Sequence, residues 1–400
     1  MKILLVHNFY GSSAPSGENK VFEAEKAMLE RHGHEMMVYA RHSDEIREVV
    51  SGQWLVVRVK KAWGMAKGAL CTIGNPFAAR AVARRCREFS PDVVHFHNTF
   101  PLISPLAVRA ASKHAPVVMT LHNYRTACAA GVPTRDGKVC SLCLDKKCVF
   151  DGIKHRCYRG GLLATLPLAI NITLYRRLLP RWVSRFIVLS GFQKRKMVDY
   201  GWPEEKIVVK GNFVSGGIES GGVGIKKNQF VYVGRLSPEK GVETLIEAWR
   251  LMGRDAHPLL IIGDGDSRSH YEQLAVGLPI TFLGQRKHTE VMDIVASAKA
   301  VIQPSVCWET FGLTVIEAAT MGTPAIVSDL GALPDLVQDG RLGEVFEAGN
   351  ADSLTDAVKH LLSRPDYTEL CAAAQREAAR KYSESANYTR LLDIYAEATA

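Results

Sequence analysis

The 400-residue sequence predicts an α/β protein built from two doubly wound, parallel-sheet domains. Three observations carry this expectation. The length suits two domains of roughly 150 to 200 residues better than one core. Short runs of Val, Ile and Leu alternate with helix-length segments, the rhythm of buried parallel strands joined by crossover helices. That rhythm stops once, at NFVSGGIESGGVGIKK (212–227), whose glycines and serines specify no packed element, and then restarts.

The first set of strands is KILLVHN (2–8), EMMVYAR (35–41), DVVHFHN (92–98), PVVMTLHN (116–123), RFIVLS (185–190) and KIVVKGN (206–212), with a helix near 18–32 after the first. The second set is FVYVGR (230–235), PLLIIGDG (258–265), ITFLGQ (280–285), AVIQPS (300–305), TPAIVSD (323–329) and GEVFEAG (343–349). The expected boundaries are an N-terminal domain over 1–212 with a Cys-rich insertion at 124–160, a linker over 213–227 and a C-terminal domain over 228–365. Helices over 366–400 are in a position to cross back to the first domain. Open parallel sheets bind ligands beyond the carboxyl ends of their strands, so functional residues are expected just after these runs.

Residues 1–210 hold 33 Lys and Arg against 16 Asp and Glu, whereas the whole chain holds 50 against 41, so the basic charge is concentrated in the first half. Such a face serves a solvated surface, anionic lipid, a phosphate-bearing acceptor or nucleic acid, and composition alone does not choose. Nucleic acid is disfavoured, because no helix-turn-helix, zinc-finger or RNA-binding signature accompanies the charge. No apolar run reaches the roughly 18 to 20 residues of a membrane span, and the first thirty residues do not read as a secretory signal, so a cytoplasmic protein is expected. Nine cysteines, an odd number, point to reduced thiols.

GRLSPEKG (234–241) follows the first strand of the second half and sets Gly234, Arg235 and Lys240 before a helix starting near Val242. Two cations beside a helix N-terminus make an anion site, and a diphosphate is its natural occupant; two solvated basic residues on a turn are the plain alternative. In WETFGLTVIEAATMGTPAIVSD (308–329), Glu309 precedes a helix and Glu317 lies about 12 Å along it at 1.5 Å per residue. Carboxylates in those places can accept paired hydrogen bonds from a sugar and from a ribose; an acidic residue favouring the helix dipole and an unrelated helix glutamate are the plain alternative.

Taken together, GRLSPEKG, IIGDG and the spaced glutamate pair resemble glycosyltransferase family 4, along nearly the whole chain. The resemblance implies the GT-B fold, two facing Rossmann-like domains with an interdomain cleft. It implies a retaining glycosyltransferase needing no metal for catalysis, with a nucleotide diphosphate sugar, UDP-linked before GDP-linked, as donor and a glycan or lipid-linked molecule as acceptor. Arg235 and Lys240 would neutralise the leaving diphosphate, Glu309 would contact the donor sugar and Glu317 the ribose. Gly312 and Leu313 fall where backbone N–H groups meet sugar and phosphate. Gly263, Asp264 and Gly265, with Gln285 and Arg286, fall where the family holds base and ribose.

In the first half, Gly17 of PSGEN (15–19) would let backbone approach a phosphate, although relatives usually have consecutive glycines there and this chain has Ser16-Gly17. HFHN (95–98) and LHN (121–123) end strands, so His97 and His122 should project into the cleft. The resemblance implies that His122 touches the donor sugar and that His97, with Asn98, lines the acceptor side. His95 on the same strand serves equally well as core. Five cysteines lie from Cys128 to Cys157, and a similar insertion in some bacterial members implies structural zinc on Cys128, Cys140, Cys143 and Cys157; a reduced, loosely packed loop is the plain alternative. The basic, apolar segments 162–186 and 56–70 suit peripheral contact with an anionic membrane, though core helices with basic ends read the same way. A sugar-nucleotide 2-epimerase of the same fold and a non-catalytic sugar-nucleotide binder are the competing functions. A dehydrogenase is disfavoured, since neither first strand is followed by G-x-G-x-x-G. Oligomeric state is left open by the sequence.

Overall fold

A computed structural model describes residues 1–9, 17–42, 46–50, 53–57, 68–214 and 226–400. Two expected segments fall largely outside these residues, most of the linker and most of the basic segment 56–70. Ser16 also falls outside them. The chain forms two compact units: residues 1–132, 141–210 and 388–400 make the first, and residues 133–140 and 211–387 the second. The unit boundary in the C-terminal tail therefore falls within the last helix, Glu384–Thr399.

The first unit carries six parallel strands, β1 (Lys2–Phe9), β2 (Glu35–His42), β3 (Val93–Asn98), β4 (Val117–Leu121), β5 (Arg185–Val188) and β6 (Ile207–Val209). Their order across the sheet is β6-β5-β4-β3-β1-β2. Six more in the second unit, β7 (Phe230–Val233), β8 (Leu259–Ile262), β9 (Ile280–Gly284), β10 (Ala300–Gln303), β11 (Ala325–Ser328) and β12 (Gly343–Phe346), are ordered β9-β8-β7-β10-β11-β12. All twelve coincide with the expected apolar runs. An additional antiparallel hairpin, Ile46–Val50 with Gln53–Val57, was not anticipated.

The strands are continuous Val/Ile/Leu runs because both faces of each sheet are covered, leaving β3, β4 and β10 buried along their whole length. Helix α1 (Gly17–Arg31) buries Val21, Phe22, Glu25, Met28 and Leu29, a stripe at helical spacing in which one member is a carboxylate. Helix α2 (Leu162–Tyr175) packs Leu168, Ala169 and Ile172 into a small core with Ala129, Cys143 and Val149. In the second unit, Trp249 of α3 (Val242–Met252) is fully buried against Phe230, their rings edge to face at 5.6 Å. Strand order reverses between β1 and β3 in one unit and between β7 and β10 in the other, the places where doubly wound sheets open a crevice.

Candidate functional site

In the second unit the residues gather around the reversal between β7 and β10. Lys240 ends a 3-10 turn, Pro238–Lys240, in the loop after β7, and its Nζ donates to Glu309 Oε1 at 2.6 Å. Ser305, fully buried just after β10, donates its hydroxyl to the same oxygen at 2.7 Å. Burial alone would raise Glu309, but Lys240, then Ser305 and Arg235, outweigh it and hold the carboxyl below its ordinary value. Burial likewise works to lower Lys240, and Glu309 reverses that, so its ammonium is raised. Both groups are therefore charged at neutral pH, each about one-fifth exposed.

Backbone contacts position this pair. Gly241 has φ +68°, and a Cβ there would stand 1.8 Å from Pro304 O, so only glycine lets the loop after β7 close against the loop after β10. Gly331, at φ +68°, would put a Cβ 2.5 Å from the Glu309 backbone nitrogen, and Ala332 N–H donates to Glu309 O. The Gly234 loop is braced by Tyr232, whose hydroxyl donates to Arg235 O at 2.8 Å. Arg235 itself is exposed. Gly263 and Gly265 lie so close to the backbone of Gly234 and Leu236 that a Cβ at either would approach a carbonyl oxygen within 2.3 Å. Asp264 accepts from its neighbour Gly265 N–H at 2.8 Å and sits 3.4 Å from Arg268. Gln285 and Arg286 are exposed after β9. Gly312 and Leu313 begin helix α4 (Leu313–Thr320), and Glu317 on it approaches His288 at 3.9 Å. Ser305, Gly241 and Gly331 were not singled out by the sequence reading; their signal is only that small residues stand beside the charged ones.

The first unit holds a different kind of site. His122, just past β4, shares a 3.1 Å hydrogen bond from its Nε2 to His97 Nδ1. His97 Nε2 and His95 Nδ1 stand 3.1 and 3.2 Å from Glu25 Oε1, and Glu25 Oε2 accepts from Lys210 Nζ at 2.9 Å. His95 also meets the Tyr395 hydroxyl and Thr120 Oγ1, each at 2.8 Å, which makes it core. Burial, followed by His97 and His7, holds His122 well below its ordinary value. Burial works to raise Glu25, yet Lys210, then His97 and His95, hold it well below the carboxylate range. Asn98 spends its side chain on local backbone, donating to Asn8 O at 3.0 Å and accepting from Phe100 N–H at 2.9 Å. Gly17 opens α1, and a Cβ there would meet nothing within 4 Å.

A pocket with about 650 Å³ of empty space, open to solvent, runs from this cluster. His97, His122, Asn123 and Arg125 form its polar wall, and Leu168 and Ile172 of α2 line an apolar wall.

None of the nine cysteines is in a disulfide. Cys128 and Cys143 are buried and Cys140 and Cys157 half-buried; Cys143 packs in the apolar core under α2, and burial pushes the Cys128 thiol up.

Two family models match the chain. "Glycosyltransferase Family 4" covers residues 17–215 and "Glycosyl transferases group 1" covers 219–382. The chain is 36% identical over 176 residues to the alpha-D-kanosaminyltransferase of Streptomyces kanamyceticus, a match covering 42% of this chain and 45% of that protein. It is 34% identical over 170 residues to the phosphatidyl-myo-inositol mannosyltransferase of Mycobacterium leprae, covering 41% and 45%. The matches thus span less than half the length of these curated relatives. Among solved structures, a glycosyltransferase from Rickettsia africae aligns with TM-score 0.68 at 16% identity, covering 99% of this chain and 98% of that one. HepE of Anabaena in complex with UDP and glucose aligns with TM-score 0.65 at 16% identity, covering 99% of both. These likenesses give the fold, which is GT-B.

Proposed function

The chain belongs to glycosyltransferase family 4, and from that premise we propose that it transfers a hexose from a nucleotide diphosphate sugar to a lipid-linked or polysaccharide acceptor with retention of configuration. The observation that carries the reading is the Lys240–Glu309–Ser305 group at the reversal between β7 and β10. A sugar-diphosphate has two demands, charge neutralisation at the phosphates and paired acceptors for hydroxyls. Arg235 and Lys240 answer the first, and Glu309 and Glu317 the second. UDP-sugars are the first donors to test, because the Anabaena neighbour is described with UDP.

In the proposed reaction the bond from the anomeric carbon to the diphosphate oxygen breaks, and a bond to the acceptor oxygen forms on the same face. The acceptor proton passes to the departing phosphate oxygen, so no protein base is required. Arg235 and Lys240 stabilise the charge that grows on the leaving group, an electrostatic contribution worth about two to three orders of magnitude in rate for one such donor.

The acceptor falls to the first unit, whose pocket joins a polar wall at His122 to an apolar wall at Leu168 and Ile172. Outside that wall, Leu163 of α2 is 85% exposed, with Leu162, Leu166 and Phe150 also exposed, and Lys154, Arg156 and Arg159 are close in sequence. That mixture of apolar and basic side chains suits an anionic lipid surface. No helix among the described residues is long and apolar enough to cross a membrane.

Incubation with UDP-sugars and lipid or oligosaccharide acceptors, followed by NMR of the product, tests the proposal. Acceptor-dependent release of UDP with the donor's anomeric configuration kept is the expected result. An inverted product would contradict retention, and a changed nucleotide sugar made without acceptor would point to an epimerase.

A further inference from the structure

The pocket of the first unit carries positive charge that the surrounding side chains do not answer. Two guanidinium groups, those of Arg125 and Arg176, stand among its lining residues, and no Asp or Glu does. Among the described residues neither arginine makes an ion pair. Arg125 donates from Nη1 to Ala129 O at 3.3 Å and lies over the rings of Phe100 and Tyr158, 4.5 and 5.6 Å from their centroids. Arg176 donates to Lys147 O and Tyr200 O and lies 4.8 Å over the Tyr200 ring. Carbonyl oxygens and ring faces hold a cation in place without cancelling its charge. Two carboxylates that reach residues of the pocket wall are engaged elsewhere: Glu25, behind His97, accepts from Lys210 at 2.9 Å, and Glu18 accepts from Asn123 Nδ2 at 2.5 Å.

The place of Arg125 is built by its neighbours. Gly131, at φ +81°, would put a Cβ 2.7 Å from Arg125 Nη2, so glycine leaves the space that the guanidinium fills. The Arg125 backbone N–H donates to Asn123 Oδ1 at 2.9 Å, and the Phe100 and Tyr158 rings that flank the side chain meet edge to face at 5.8 Å. Arg125 Nε and the hydroxyl of Thr126, which also lines the pocket, are buried without a hydrogen-bond partner. Two unmet donors beside an unmatched cation form a set that an oxyanion completes once the side chains turn toward it. Arg125, Gly131 and Tyr158 all belong to the insertion at 124–160, while Leu168 and Ile172 supply the apolar wall of the same pocket.

We propose that this pocket is a phosphate site, in which Arg125 and Thr126 hold the phosphate of an amphiphilic molecule whose apolar chain lies along Leu168 and Ile172. Phosphate rather than carboxylate follows from the charge, since two guanidinium groups match a phosphate dianion and exceed a single carboxylate. That the bound molecule is the sugar acceptor rests on the glycosyl-transfer reading; the phosphate site does not.

The test is titration calorimetry on the full chain with n-decyl phosphate, held below its critical micelle concentration, beside n-decanoate, n-decyl glucoside and glucose 1-phosphate. Decyl phosphate should bind more tightly than each of the other three by about 10-fold or more. Arg125→Gln keeps a polar side chain and removes the charge; it should weaken decyl phosphate by about 10- to 100-fold, the weight of charge-assisted hydrogen bonds, and leave decyl glucoside within about twofold. If Arg125→Gln does not fold, Thr126→Val keeps the shape, removes the hydroxyl and should weaken decyl phosphate by about 3- to 10-fold. Decanoate or decyl glucoside binding as tightly as decyl phosphate, glucose 1-phosphate binding as tightly, or a folded variant that binds decyl phosphate like the unmodified chain would each overturn the proposal. A chain that binds decyl phosphate through Arg125 but transfers no sugar would instead overturn the functional reading and leave the phosphate site standing.

Discussion

The two units solve the problem of placing charge beside a sheet in opposite ways. In the first, Glu25 and Lys210 are 1% and 5% exposed and are answered entirely from within, by each other and by two histidines, His95 and His97. In the second, Lys240 and Glu309 are each about one-fifth exposed, Arg235 is exposed, and glycine-bound loops carry them. A buried pair answered from within orients the side chains around it but leaves no room for a ligand at the pair itself. An open pair can exchange its partner for one, as diphosphate binding requires.

The sharpest way to break this contrast is Lys210→Met. Removing one partner of a buried ion pair strands the other, so unfolding free energy should fall by about 3–5 kcal/mol, read by denaturant titration. Nucleotide affinity of the second unit should be unaltered, since Lys240 and Glu309 are untouched. Lys240→Ala should do the reverse, lowering turnover by about two to three orders of magnitude with little change in melting temperature. If both variants mainly destabilised, the open pair would be structural and the contrast would collapse.

Acid should separate the units as well. Burial and His97 lower His95 to about 4, and burial and His97 lower His7 to about 3, from an ordinary 6.5. Between 6.5 and those values the unfolded chain binds protons that the folded chain does not, so stability rises with pH and is lost as pH falls. By pH 5 each such histidine costs about 2 kcal/mol, and melting curves from pH 7.5 to 5 should show the first unit failing earlier. A pH-independent melt would mean that these histidines are charged or solvated in the fold. The smallest effect belongs to Ser305→Ala, which removes one hydroxyl from Glu309 and should weaken donor binding by about 1 kcal/mol.

The same contrast explains what could be read from the sequence. All twelve sheet strands were legible because a strand buried on both faces leaves an uninterrupted apolar run. The hairpin at 46–57 was missed although Ser51-Gly52 between two apolar runs is a turn signal. The open site is written locally: Arg235 and Lys240 share one loop, and Glu309 and Glu317 share another segment. The closed network is not, because Lys210 looks like a surface cation until the fold brings it to Glu25. Glu25 itself left a trace, occupying an apolar-stripe position between Phe22 and Met28.

We expect the open pair at the reversal between β7 and β10 to bind a nucleoside diphosphate. Calorimetry of UDP, GDP and ADP with the full chain in the presence of a chelator, repeated with Glu317→Ala and with Arg235→Ala/Lys240→Ala, tests it most directly. One nucleotide should bind at about micromolar affinity, roughly −8 kcal/mol, and the variants should lose it. If none of the three binds, or the variants bind as well as the unmodified chain, the claim is contradicted.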